Sequence, residues 1–168
     1  MFRTVVALIF LGALSSSAAA ETFRCTLVHE SFLDQANRFI LAGLRFQPVE
    51  ATQAGYHGDA NHPLDNQLDD SSPASIAAEH ALLISGKQCF ATAEANAPED
   101  VADLALLREN IESGLFDMDV RQSYRYRPQD SVEMIGSGLF FPLTSTEGTE
   151  QSRLTSVVAR MERIPRIL

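Results

Sequence analysis

Two histidines and an aspartate lie close together in a polar stretch of the sequence, at His57, Asp59 and His62. Imidazole and carboxylate side chains bind metal ions and transfer protons near neutral pH, so this cluster is the first candidate for chemistry. No helical or strand spacing fixes the three side chains, and no further strong metal ligand accompanies them. Two interpretations remain: a solvated, capped loop, or a substrate-facing loop in which Tyr56, His57 and Asp59 line a cleft.

The other reactive residue types form no complete active site. His29-Glu30 begins a zincin pattern, but a second histidine is needed four residues after the first, and that position is Leu33. Gly136-Ser137-Gly138 lacks the five-residue nucleophile-elbow pattern. We therefore expect His29 and Glu30 on the solvated side of a helix. We also expect no metal, no cofactor and no catalysis from this chain alone.

Helical periodicity dominates the elements that must position these residues. The spacing predicts a first helix over Thr22–Phe46 that ends before Pro48, followed by an extended polar loop over Glu50–Ser72. Helix starts are predicted at three further places, namely Pro73 after Ser72, Pro98, and the region of Thr149. The fold class is mainly α, an antiparallel helical bundle or array with one long polar loop.

Two apolar stripes mark helix faces that should pack. One comprises Val101, Leu104, Leu107, Ile111 and Leu115, and the other comprises Leu154, Val157, Val158 and Met161. Apolar residues continue from the second stripe to the last residue, so the C-terminal end looks incomplete. We therefore expect part of the second stripe to be exposed, which favours self-association through the last helix.

Composition limits the partners and the compartment. The 168 residues carry a formal net charge of −9, and an acidic surface repels phosphate backbones, so nucleic-acid binding is not expected. The hydrophobic content of 45% indicates one globular domain. Cys25 and Cys89 are not a C-x-x-C redox pair. They either pair in an oxidising compartment or remain buried thiols, and the sequence does not decide between these.

Residues 1–20 have the three parts of a secretory signal peptide. Arg3 supplies a positive charge, the run from Val5 to Leu14 is apolar, and Ala20 closes a run of alanines before Glu21. The apolar run is about half of the roughly 20 residues that span a bilayer, which favours a cleaved leader over a membrane anchor. We expect residues 21–168 to form a periplasmic or secreted protein without a stable membrane anchor.

Six pieces of the sequence, in this order and spacing, resemble the N-terminal part of the bacterial family called domain of unknown function 885. They are Pro48–His57, Leu68–Pro73, Leu106–Glu112, Tyr124–Pro128, Ile135–Phe140 and Val158–Pro165. The resemblance covers most of the chain after the leader. It implies a mostly helical, often exported fold within a much longer protein.

The resemblance also implies an activity for the full-length family. Its later part carries a His-Glu-Gly-x-Pro-Gly-His pattern, which implies a zinc-dependent, peptidase-like hydrolase acting on a peptide substrate. The 168 residues contain no such pattern, so zinc is implied only for the full-length family. We expect this chain to be the exported N-terminal portion, itself inactive. The alternative is a small, non-enzymatic periplasmic binding or interaction protein.

The leader gives the first testable prediction. We expect export with cleavage after Ala20, because the apolar run is short and the alanines fit the signal peptidase. Mass spectrometry of the exported protein should find Glu21 at the N-terminus. A membrane-bound product that still begins with Met1 would show that the segment is an anchor.

Overall fold

The computed structural model describes residues 23–26, 31–95 and 97–167. The signal peptide, His29 and Glu30 lie outside the described residues. Within them the chain folds into six α-helices, which confirms the mainly α class. These are α1 Phe32–Leu44, α2 Pro48–Gln53, α3 Pro73–Ala91, α4 Pro98–Phe116, α5 Pro128–Thr144 and α6 Glu150–Met161.

The three predicted helix starts are confirmed, and two of them have side-chain caps. Ser72 accepts a hydrogen bond from the backbone N–H of Ser75, and Pro73 occupies the first helical position of α3. Thr149 and Ser152 bond to each other's backbone N–H groups and form a capping box at the start of α6. α4 begins at Pro98, with two acidic residues in its first turn.

The predicted first helix over Thr22–Phe46 is wrong at its N-terminal end. Phe23–Thr26 is not helical, and α1 begins at Phe32 after the N-cap Ser31. The short segment is held instead by a disulfide between Cys25 and Cys89 and by hydrogen bonds between Thr26 and the buried side chain of Gln35. The two cysteines are therefore paired, and the bond closes a loop across 64 residues.

The main apolar core lies between α1, α3 and α4. Phe90 is its centre, because its ring contacts the rings of Phe23, Phe32 and Phe39 at centroid distances of 5.5–6.2 Å. The predicted α4 stripe is buried here except for Val101, which is 51% exposed. The remaining core residues are Ala36, Leu82, Cys89, Ala93, Leu104, Leu107, Ile111 and Leu115.

The predicted loop over Glu50–Ser72 is shorter than expected. Its first residues belong to α2, and Pro48, expected only to stop a helix, also begins this one. The irregular part starts at Ala54 and is anchored by Leu64 and Leu68, both of which are buried. It is therefore a packed connection and not a fully solvated loop.

The second unit of packing joins α2, α5 and α6. α5 lies against both α2 and α6. On α6, Leu154, Val158 and Met161 are 43–55% exposed, which confirms the expectation that part of this apolar stripe is uncovered. The buried residue of α6 is instead Arg160. In the part of the chain described here, no helix combines the length and apolar character needed to cross a bilayer.

Two helix glycines give a matched stability prediction. A Cβ at Gly86 would lie 2.3 Å from the ring of Phe39, whereas a Cβ at Gly136 would have no neighbour within 4 Å. Gly86→Ala should lower the free energy of unfolding by about 1–3 kcal/mol through overpacking. Gly136→Ala should leave it unchanged or raise it by up to about 1 kcal/mol, because alanine favours a helix. Urea unfolding measures both, and equal effects would show that α1 and α3 do not meet at Gly86.

Candidate functional site

A cleft of about 630 Å³ lies between the end of α2, the end of α5, the α5–α6 connection and α6. We call it the His57 cleft, because His57 lies on its wall between two carboxylates. Its apolar wall includes Phe141 and Pro142, and the rest is rich in hydroxyl groups. The hydroxyl-bearing residues are Thr52, Thr144, Ser145, Thr146, Ser152 and Ser156.

The way in which α2 ends determines the position of His57. Gly55 has a φ of +83°, a left-handed conformation that favours glycine, and its N–H donates to the carbonyl of Thr52. The N–H of Tyr56 donates to the carbonyl of Ala51. These two bonds form a Schellman motif, which ends the helix and turns the chain toward the cleft at His57.

A tight turn then brings Asp65 back to His57. Asp59 and His62 exchange backbone hydrogen bonds, and the N–H of Leu64 donates to the carbonyl of His57 at 2.9 Å. The turn needs Gly58, because its φ is +84° and a Cβ there would lie 2.0 Å from the carbonyl oxygen of His62. As a result, Asp65 Oδ1 lies 2.6 Å from His57 Nδ1.

The second partner of His57 comes from a distant part of the chain. Glu147 lies in the α5–α6 connection, and its Oε2 is 2.8 Å from His57 Nε2. Arg153 steadies this connection by donating to the carbonyl oxygen of Gly148 at 3.3 Å. His57 therefore links the loop after α2 to the loop before α6.

The two carboxylates favour the protonated imidazole. Hydrogen bonds to Asp65 and then to Glu147 raise the pKa of His57 above its ordinary value of 6.5, against a smaller opposing effect of burial. The side chain is 46% exposed, so solvent screens the pairs. This contribution to stability is complete below the unfolded-state pKa of about 6.5 and is lost as pH rises through the folded-state pKa.

Arg160 lines the cleft from α6 and is 1% exposed. Its Nη1 donates to the carbonyl oxygen of Gly138 at 2.7 Å, and its Nη2 donates to Thr52 Oγ1 at 2.9 Å. Its Nε has no hydrogen-bond partner among the described residues. Nor does any described carboxylate lie within 4 Å of its nitrogens. Burial lowers the pKa of Arg160, yet a guanidinium stays protonated in proteins.

The other two predicted cleft residues, Tyr56 and Asp59, are not among those that line this cleft. Asp59 accepts hydrogen bonds from the N–H groups of Asn61 and His62, which lower its pKa, and it pairs with Arg45 at 3.2 Å. Its position is that of a turn-stabilising residue. Tyr56 is half-buried and contributes its backbone to the end of α2. Only His57 of the three predicted residues lines the His57 cleft.

The residues around His57 do not suit a metal ion. Both ring nitrogens are directed at carboxylate oxygens, so neither is free to coordinate. Within residues 23–26, 31–95 and 97–167, no group of three His, Cys, Asp or Glu side chains is arranged to hold a metal. The described residues thus contain no ligand group for the zinc that the resemblance implies.

Comparison of the chain with family models, with curated proteins and with solved structures finds no match in any of the three. The resemblance to the domain of unknown function 885 family stays a prediction from the sequence.

Because His57 is hydrogen-bonded to two carboxylates, we predict that its pKa depends on both of them. Its pKa, followed by NMR of the imidazole protons, should lie above 6.5 and should fall in Asp65→Asn and in Glu147→Gln, because each change removes a hydrogen-bonded negative charge. Asp70→Asn is the control, since Asp70 lies in the same loop but bonds to Ser72. A His57 pKa that does not respond to either cleft substitution would contradict the bridging geometry.

Proposed function

We propose that this chain is exported and that its His57 cleft binds a peptide. The observation that carries the proposal is the position of His57, held between Asp65 and Glu147 on the wall of a cleft of about 630 Å³. A cleft of this size suits a small ligand or a few residues of a peptide. Its walls combine apolar side chains, hydroxyl groups and both signs of charge, which match the alternating donors and acceptors of a peptide backbone.

The disulfide supports export. Disulfides persist in the periplasm and outside the cell but are rare in the cytosol of most organisms. The pairing of Cys25 with Cys89 agrees with the leader that the sequence predicts for residues 1–20. The bond also joins Phe23–Thr26 to α3, close to the predicted start of the mature chain.

Catalysis is not part of the proposal for this chain. The zinc-dependent hydrolysis that the resemblance implies needs the His-Glu-Gly-x-Pro-Gly-His pattern, and the 168 residues do not contain it. We propose that peptide hydrolysis belongs to a longer protein, in which these helices supply part of the substrate cleft. The non-enzymatic alternative uses the same cleft for binding alone. The genomic sequence after the codon for Leu168 distinguishes them, since only the first proposal requires a reading frame that leads to the zinc pattern.

A bulky side chain in the cleft should block peptide binding. Thr144 and Thr155 are both exposed and both bond their hydroxyls to their own helix, but only Thr144 lines the cleft. Thr144→Trp should weaken the binding of short peptides about tenfold or more, because the indole occupies ligand volume. Thr155→Trp is the matched control and should bind like the unchanged protein.

Isothermal titration calorimetry with a mixture of random tripeptides, followed by its individual members, measures this effect. Circular dichroism should show the same helical content for both variants. Peptide binding that is equal in the two variants would place the binding site elsewhere. Undetectable binding by the unchanged protein would refute the proposed function.

A further inference from the structure

The protein as a whole is acidic, but cationic side chains are concentrated in the His57 cleft. The whole chain carries a formal net charge of −9, yet the cleft brings Arg153, Arg160 and His57 together against only Asp65 and Glu147. Both of these carboxylates are engaged by His57. Within the described residues, neither arginine has a carboxylate within 4 Å. With His57 protonated, the cleft carries three positive charges against two negative ones, and neither arginine is paired with a carboxylate of the cleft.

Arg160 is the more informative of the two arginines. A buried charge is costly unless it is paired or fully hydrogen-bonded. The guanidinium makes two hydrogen bonds, both to uncharged oxygens, and its remaining N–H donors have no partner in the described part of the chain. Asp65 and Asp69 act on it only from beyond ion-pairing distance. The structure thus holds an oriented, buried cation at a cleft without placing an anion against it.

We propose that Arg160 is the anchor for a carboxylate group of the ligand, and that this group is the C-terminal carboxylate of a bound peptide. The proposal rests on the proposed peptide binding and specifies which part of a peptide the cleft recognises. A guanidinium binds a carboxylate through parallel N–H donors. The hydroxyl of Ser156, which lines the cleft on the same helix, is an additional donor for its oxygens.

The surroundings of Arg160 favour this assignment over binding of a cationic group. Because the guanidinium is withdrawn from water, an anion beside it is weakly screened. The protonated form of His57, which Asp65 and Glu147 favour, offsets one of their two negative charges and so weakens the attraction of this wall for a cation. Arg153 adds a second positive charge from a less buried position on α6.

The test compares three probes on the unchanged protein by NMR titration: N-acetyl-trialanine, its C-terminal amide, and propionate. The free acid should bind about tenfold or more tightly than the amide, as expected for charge-assisted hydrogen bonds. Equal affinity of acid and amide would overturn the carboxylate anchor and leave peptide binding intact. Binding of propionate without either peptide would show a site for small carboxylates only, and would overturn both the assignment to a peptide C-terminus and the proposed function. Binding of none of the probes would overturn both.

Two substitutions test which arginine causes the preference for the free acid over the amide. Arg160→Gln, checked for unchanged helicity, should abolish the preference for the acid over the amide. Arg153→Gln alters a less buried side chain and should reduce that preference several-fold. Arg163→Gln is the control, because Arg163 donates to the carbonyl of Asn66 and does not line the cleft. A preference that is unchanged in Arg160→Gln would overturn the proposal, whatever the effect of Arg153→Gln.

Discussion

A hydrogen bond between Arg160, which lines the cleft, and the carbonyl oxygen of Gly138 joins α5 to α6. Its origin lies in the sequence of α5, which contains Pro142 in its interior. Proline has no N–H, so it cannot donate to the carbonyl four residues earlier, and that carbonyl belongs to Gly138. Arg160 Nη1 supplies the missing donor. The burial of the Arg160 guanidinium therefore has a structural reason: it bonds to a backbone oxygen that α5 leaves unpaired.

The same guanidinium connects α2 to this pair of helices. Thr52 Oγ1 accepts from Arg160 Nη2 while its hydroxyl donates within α2 to the carbonyl oxygens of Pro48 and Val49. At the other end of α2, the carboxylate of Asp69 accepts from the N–H of Val49 at 3.0 Å and acts as a cap. Burial raises the pKa of Asp69, against the lowering effect of that hydrogen bond. Polar contacts thus orient a helix of only six residues, which leads directly to His57.

The two packing units of the protein are stabilised differently. The unit of α1, α3 and α4 has a continuous apolar core closed by a disulfide, whose loop of 64 residues corresponds to about 4 kcal/mol in the chain-entropy model. The unit of α2, α5 and α6 depends more on Arg160 and the leucines at 64 and 68, while much of the α6 stripe is exposed. The cleft lies in the second unit, where local opening should require less free energy than in the first.

Much of the fold could be predicted from the sequence, because helix caps are local. Ser72-Pro73, Pro98 and Thr149 marked helix starts that the structure contains. Helical spacing wrongly predicted a helix at Cys25, where a disulfide and the packing of the Phe23 ring hold the chain in a non-helical conformation. In the site, His57 could be predicted from residue type, and Asp65 is near it in sequence. Glu147 could not, since it is 90 residues away and only the fold brings it close. Arg160 was not predicted. The feature of the sequence that could have pointed to it is Pro142, because a proline inside a helix leaves a carbonyl without its usual donor and another side chain must supply one.

The most direct test of this account is a double-mutant cycle between Arg160 and Pro142, read as free energies of unfolding in urea. Pro142→Ala restores an N–H that can bond to the carbonyl of Gly138. Arg160→Met keeps the side-chain volume but removes the donors. The account predicts that Arg160→Met is less destabilising in the Pro142→Ala background, by about 1–2 kcal/mol, the value of one hydrogen bond to a buried carbonyl. The same loss of stability in both backgrounds would contradict it, because Arg160 would then not be compensating for the proline.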